Sequence, residues 1–306
     1  MSTLKTHCEL VRLPNLFTAA ADILAGYYLV TGELHVSWTL LLLIAASCCL
    51  YATGIVTNDL RDVELDRLER PNRPLPSGRV SPTRARWIAR MLAVAGVLTA
   101  ALAWSPTELP AALTIENRAA ACALVLLASI LAYNFLLKQT PLGPIAMGVC
   151  RVLNLGMAMS IARFSDEGTR NAMFAIAGAF GLYVTALTYF GREETGAAPR
   201  RHLVIGLGGM VTALVVIGAL AIAEGDSSGF NTVIWLATVI HIFRVGLRTI
   251  RRPTPNMVQY AMKTFILAII AVDAVIAGTT AGTPAVLVTL ALLVPAATIG
   301  RWVYST

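Results

Sequence analysis

Residues 58–79 read NDLRDVELDRLERPNRPLPSGR, the densest run of charge in an otherwise apolar chain. At about 100° per residue on a helix, Asn58, Asp59, Asp62 and Asp66 fall within about 100° of one another. One face therefore presents three carboxylates and an amide, while Arg61, Glu64 and Arg67 point elsewhere. Carboxylates this close repel one another unless positive charge sits among them. A hard divalent cation such as Mg²⁺ suits such a set, because it takes oxygen ligands and keeps substrate phosphate oxygens in its shell. On a soluble helix the same pattern would read as a solvated, salt-bridged end. Here it leads directly out of an apolar span, where clustered charge needs a reason.

Working outward, the chain has 306 residues, of which 57% are hydrophobic and 13% charged, with a mean hydropathy of +0.70. Soluble domains carry roughly a quarter charged residues, so the composition predicts an all-α polytopic membrane protein forming a single domain. The N-terminus, MSTLKTHCEL, lacks the pattern of a cleaved signal, so the first apolar segment is expected to stay as a membrane helix. Apolar spans are expected near 10–30, 37–57, 86–104, 118–137, 142–162, 171–190, 203–223, 231–247, 260–280 and 284–302, each about long enough to cross a bilayer. That is nine helices plus a tenth at the C-terminus, the last two separated only by Ala281 to Thr283.

Charge orients these spans. With the N-terminus inside, only Arg118, Arg163 and Arg170 among the 24 Lys and Arg lie in or beside the outer connections. The positive-inside pattern places both termini and the acidic motif in the cytoplasm of a bacterial or archaeal membrane. The net charge of +7 is thus topological, and without aromatic–basic interleaving it does not point to nucleic acid. The five cysteines show no metal-ligand spacing.

Several further residues are candidates for chemistry. Arg70 to Arg79 holds three prolines and a glycine, which define a rigid loop whose Arg73 suits phosphate. Arg12 and Asn15 stand at the entrance of the first span, and Asp22 lies well inside it. Tyr133 and Lys138 end the fourth span at the depth of the acidic motif, although both are also ordinary interface anchors. Arg151 and Asn154 lie a turn apart within the fifth span, where an arginine without an anion or acid would be expensive. Asp273, in the ninth span, has the same standing as Asp22. The sixth span runs out through Arg192, Glu193 and Glu194, a second and weaker acidic cluster.

With these residues in hand, the chain resembles the UbiA superfamily of intramembrane prenyltransferases over its first nine helices. Asn58-Asp59-x-x-Asp62-x-x-x-Asp66, followed by Asn-Arg-Pro-Leu-Pro-Ser-Gly, is similar to that family's first aspartate-rich motif and its sequel. The Tyr133…Lys138 helix end is similar to a further recurring feature. The loop looks closest to the archaeal-lipid type that prenylates a glycerol phosphate. The opening LVRLPNLFTAAAD and the C-terminal end look more like UbiA-like proteins of bacterial ebo gene clusters, which act on a polyol or cyclitol.

The resemblance implies a helical bundle around a lipid-facing cavity and Mg²⁺-dependent transfer from a polyprenyl diphosphate to a small polar or aromatic acceptor. It implies metal on Asn58, Asp62 and Asp66, with Asp59 holding metal or water; at a second site either Glu193 or Glu194 stands in, or positive groups such as Arg200 and Arg201 replace the second ion. Arg73, Lys138 and Arg151 are then expected to stabilise the leaving diphosphate and Arg12, Asn15 and Asp22 to stand at the acceptor end, with Asn154 and Arg192 as further substrate-binding candidates. One departure stands out: residues 196–201 read GAAPRR where the family's second set of aspartates would be. That leaves a rival reading, a lipid or polyprenyl carrier that kept the cavity and one ion site.

Overall fold

The computed structural model describes residues 3–103, 117–162, 166–192, 199–224 and 229–303. Every regular element among them is helical: α1 (Thr3–Leu10), α2 (Leu13–Thr31), α3 (Trp38–Arg61), α4 (Val63–Glu69), α5 (Pro82–Leu102), α6 (Arg118–Ala132), α7 (Gly143–Met159), α8 (Glu167–Phe190), α9 (Arg200–Ala223), α10 (Gly229–Arg251), α11 (Pro255–Ala291) and α12 (Leu293–Ile299). A π-helical turn, Tyr133–Leu137, extends α6.

The surface of this bundle is built for lipid. On α5 the side chains of Trp87, Met91, Val94, Leu98 and Leu102 are exposed at helical spacing, whereas Ala85, Ala89, Gly96 and Ala100 are buried. A soluble helix would turn the large apolar residues inward. Here lipid solvates them, and the small residues face the neighbouring helix so that backbones can approach. The protein is an integral membrane protein.

Eight helices among the described residues are long and apolar enough to cross a membrane. The expected count of nine plus a tenth differs from this at two places. Gly143–Met159 is a shorter apolar helix, and the segments expected at 260–280 and 284–302 run together. Between them Gly282 adopts φ 69°, ψ −166°, two residues ahead of Pro284, so the path breaks without a connecting loop. Positive φ is cheap only for glycine, and the proline cannot donate into the preceding turn.

Neighbouring helices close a ring in the order α2, α3, α5, α6, α7, α8, α9, α10, α11 and back to α2, while α2 also packs across the ring on α7. Its small residues allow this central course. A Cβ at Gly26 would collide with the carbonyl of Leu155 on α7. Similarly, Gly148 of α7 lies against Thr185 and the carbonyl of Gly181 on α8, leaving no room for a side chain. One apolar core gathers α2, α3, α5, α6 and α7 with part of α11, and a second gathers α7 through α11 with part of α2. A cavity of about 440 Å³ opens where the two meet.

Candidate active site

The acidic stretch is not one continuous helix. α3 ends at Arg61, Asp62 leaves helical geometry at φ −92°, ψ 6°, and α4 restarts at Val63. The expected single face therefore splits into two pairs, each bridged by a cation from elsewhere in the chain. In the first pair, Lys138 Nζ donates to Asn58 Oδ1 at 2.8 Å and to Asp62 Oδ2. The π-helical turn sets this contact up. The Lys138 backbone N–H bonds back to the carbonyl of Tyr133, while Asn134 anchors the turn on Gly54 O and Thr57 Oγ1 of α3. Such π-bulges concentrate at functional sites.

In the second pair, Arg73 Nη1 grips both oxygens of Asp66 at 2.8 and 2.9 Å and lies 3.7 Å from Asp59. Asp59 also takes a hydrogen bond from Arg12 Nη2 at 2.5 Å. Asp59 and Asp66 are each 2% exposed and Arg73 6% exposed, so this pair is closed to solvent. The proline loop holds Arg73 there because Leu75 and Val80 are buried with Leu10, Val56 and Ala85. Arg79 ties the same loop to Glu9 of α1 at 2.5 Å. Arg12 itself adopts φ 47°, ψ 58° between α1 and α2. A left-handed arginine costs on the order of 1–3 kcal/mol, and its ion pair to Asp59 is the contact that offsets this.

The cavity begins beside the first pair, with Asn58, Lys138, Arg12, Asn15 and Arg192 around its mouth. Its walls are apolar, from Ile130 and Met147 on one side to Leu187 and Ile266 on the other. Its deep end is polar again, carrying Tyr51, Arg151 and Asn154. Arg151 Nη1 donates to Asp22 Oδ2 at 2.9 Å, and Nη2 donates to Thr18 Oγ1 at 2.9 Å and to the Tyr51 hydroxyl at 3.3 Å. The guanidinium stacks 4.8 Å from the Tyr51 ring. Asn154 Nδ2 donates to Asp22 Oδ2 at 2.7 Å.

The structure thus brings together Asn58, Asp62 and Lys138 at the mouth, with Tyr133, Arg12, Asn15 and Arg192 around the same cavity. Arg151 and Asn154 join Asp22 at the deep end instead. None of Asp59, Asp62, Asp66 and Arg73 lines the cavity itself; Asp62 meets it through Lys138, whereas Asp66 and Arg73, expected to face metal and diphosphate, are turned to one another. Glu193 and Glu194 lie outside the described residues.

Two residues were missed from the sequence. Tyr51 stands seven residues before Asn58, two turns down the same face, a spacing that could have flagged it. Asn134 is an amide in an apolar span, hidden beside the more conspicuous Tyr133.

The donor set at the mouth fits Mg²⁺ in one specific sense. An amide oxygen and a carboxylate oxygen converge on a single positive group, the Lys138 ammonium. Among the described residues no three acidic, histidine or cysteine side chains gather into a metal cage. Mg²⁺ is commonly held by one or two carboxylates and completed by substrate phosphates and water, which is what this pair can offer.

Comparisons with known proteins bear on most of the chain. Residues 19–270 match the UbiA prenyltransferase family. The digeranylgeranylglyceryl phosphate synthase of Methanoculleus marisnigri is 29% identical over 279 residues, covering 85% of this chain and 91% of that protein. The synthase of the same name from Sulfurisphaera tokodaii is 34% identical over 100 residues, which is 33% of this chain and 36% of that protein. Among solved structures, one described as giving structural and mechanistic insights into digeranylgeranylglyceryl phosphate synthase in membranes has a TM-score of 0.63 at 19% identity, over 92% of this chain and 99% of its own. A UbiA homologue from Archaeoglobus fulgidus bound to GPP and Mg²⁺ has a TM-score of 0.53 at 15% identity, over 89% of this chain and 99% of its own. At these identities the structures establish a shared fold.

Proposed function

The chain belongs to the UbiA prenyltransferase family, and we propose that it transfers a prenyl group from a polyprenyl diphosphate to a small polar acceptor, with Mg²⁺ at the cavity mouth. The observation that carries this is the convergence of Asn58 and Asp62 on one positive group at the entrance of an apolar cavity. Asn58 and Asp62 would hold the ion. Asp66 serves from behind, orienting Arg73 and, through it, Asp59. Held there, Mg²⁺ would supply positive charge to offset the negative charge developing on the diphosphate.

The chain's own groups do the rest. Lys138, which bridges Asn58 and Asp62, would face the departing diphosphate with its ammonium, with Arg12 and Arg192 beside it. The apolar walls house the prenyl chain and keep water from the developing carbocation. Tyr133 forms part of the cavity wall. The names of the relatives point to a glyceryl phosphate as the acceptor type. The excess of Lys and Arg on one side supports a cytoplasmic mouth and cytoplasmic termini.

The test is release of diphosphate from labelled geranylgeranyl diphosphate by protein in lipid nanodiscs, with Mg²⁺ and candidate acceptors. Turnover that disappears with chelator and in Asp62→Ala supports the reading. Binding of the prenyl diphosphate without turnover of any acceptor would instead favour a polyprenyl carrier.

A further inference from the structure

The deep end of the cavity holds more acid than the mouth's chemistry uses. Asp22, Asp273 and Arg151 lie together in the membrane interior, the two acids 0% exposed and the arginine 5%. Asp22 Oδ2 is satisfied by Arg151 and Asn154. Asp22 Oδ1 and both oxygens of Asp273 receive no hydrogen bond from any donor among the described residues, yet the two carboxyls lie within hydrogen-bonding reach of each other. Two bare carboxylates in that position would repel, whereas a carboxyl and a carboxylate share one proton. The cluster then sums to zero: one guanidinium, one carboxylate and one carboxyl.

The facing groups from the other packed helices add no charge. Tyr51 of α3 contributes a phenol hydroxyl, and the hydroxyl of Tyr183 on α8 donates to the carbonyl of Phe265. Besides the Arg151 N–H groups not used in these bonds, this neutral cluster offers the cavity one phenol donor and one amide acceptor. The Tyr51 oxygen accepts from Arg151, so its own hydrogen is left to give. Asn154 spends its Nδ2 on Ala19 O and Asp22 Oδ2, leaving Oδ1 to accept. A hydroxyl group has that complement of needs. Tyr51 also lies about 10 Å along α3 from Asn58, within reach of a prenyl carbon whose diphosphate is held at the mouth.

We propose that Tyr51, Arg151 and Asn154 form the subsite for the reacting, uncharged hydroxyl end of the acceptor, and that Asp22 and Asp273 hold Arg151 neutralised so that an anion is refused there. This rests on the prenyl-transfer reading above. It places any phosphate on the acceptor outside this subsite, toward the mouth. Asp22 and Asp273 are positioning residues, because neither lines the cavity.

The experiment uses the full chain in nanodiscs, with saturating prenyl diphosphate and a monoalkylglycerol as the uncharged acceptor. Asn154→Leu should raise the acceptor KM about tenfold, and Tyr51→Phe severalfold, with the KM for prenyl diphosphate unchanged. In Asp22→Asn combined with Asp273→Asn, inorganic phosphate should compete with the alcohol, whereas it does not in the wild type. An acceptor KM unmoved by Asn154→Leu, both KM values rising together, or phosphate competing equally in the wild type overturns the proposal. Equilibrium binding covers the case of no turnover. Alcohol binding lost in Asn154→Leu while prenyl diphosphate still binds supports the subsite, and alcohol binding retained overturns it. Failure of the wild type to bind prenyl diphosphate overturns the transfer reading itself.

Discussion

The mouth of the cavity and its deep end are both made of acids paired with bases, but they are paired for different ends. At the mouth, Lys138 bridges Asn58 and Asp62 on side chains that remain partly exposed, 30% for the lysine and 16% for the aspartate. Water can replace such a partner, so the ammonium can leave and another cation can take its place. At the deep end Arg151 and Asp22 are closed off at 6% and 0% side-chain exposure, with every Arg151 contact fixed by a neighbouring helix. Removing one partner there strands a charge in a medium that cannot solvate it. The same chemistry is exchangeable where solvent reaches and permanent where it does not. Asp59, Asp66 and Arg73 stand between the extremes: near the mouth in sequence, yet sealed like the deep cluster.

That contrast can be broken at either end. The largest effect is expected from Asp62→Ala, which should lower turnover by about 10³-fold while leaving thermal unfolding in nanodiscs unchanged. If stability fell as far as activity, the mouth would be structural after all. Next, Arg151→Leu should destabilise the fold by about 3–5 kcal/mol, read as a lower unfolding midpoint in denaturant titrations. A mild effect would mean that the deep cluster is as exchangeable as the mouth.

Lys138→Met sharpens the comparison from the other side. It should cost about 10²-fold in kcat but under about 1 kcal/mol in stability, as partly exposed ion pairs do. Gly148→Val, which forces a side chain between α7 and α8, should destabilise by about 2 kcal/mol, with the KM values the more sensitive readout because α7 carries Arg151 and Asn154. The smallest change is expected for Arg12→Gly. Relief of the left-handed backbone there, on the order of 1–3 kcal/mol, opposes loss of the ion pair to the buried Asp59, which keeps Arg73 at 3.7 Å, so the two effects should largely cancel in the unfolding midpoint.

How much of this could be read from the chain depends on the kind of force involved. The apolar spans follow from composition, since about 20 apolar residues in a row have few other places to go. The break at Gly282 was harder, because a kink and a short loop leave the same Gly and Pro signature. Asn58, Asp62 and Lys138 were all singled out as candidates, being polar groups at the ends of apolar helices. Their mutual contact was not, because it depends on a π-helical turn that displaces Lys138 by one residue along the helix. The pairing of Asp66 with Arg73 was hidden by treating residues 58–66 as one helix, when Asp62 interrupts it.

The sequence by itself determined that the chain lives in a membrane, that a charged oxygen-donor motif sits at one end of its second span, and that isolated acids and an arginine lie deep inside. Local composition and period suffice for that, because they decide what water and lipid will accept. Only the tertiary structure decided which base meets which acid. Asp22, Arg151 and Asp273 come from α2, α7 and α11, more than 100 residues apart in the chain, and they meet because glycines such as Gly26 let those helices approach closely. Charge pairing inside a bilayer is settled by which helices touch, and that is a property of packing.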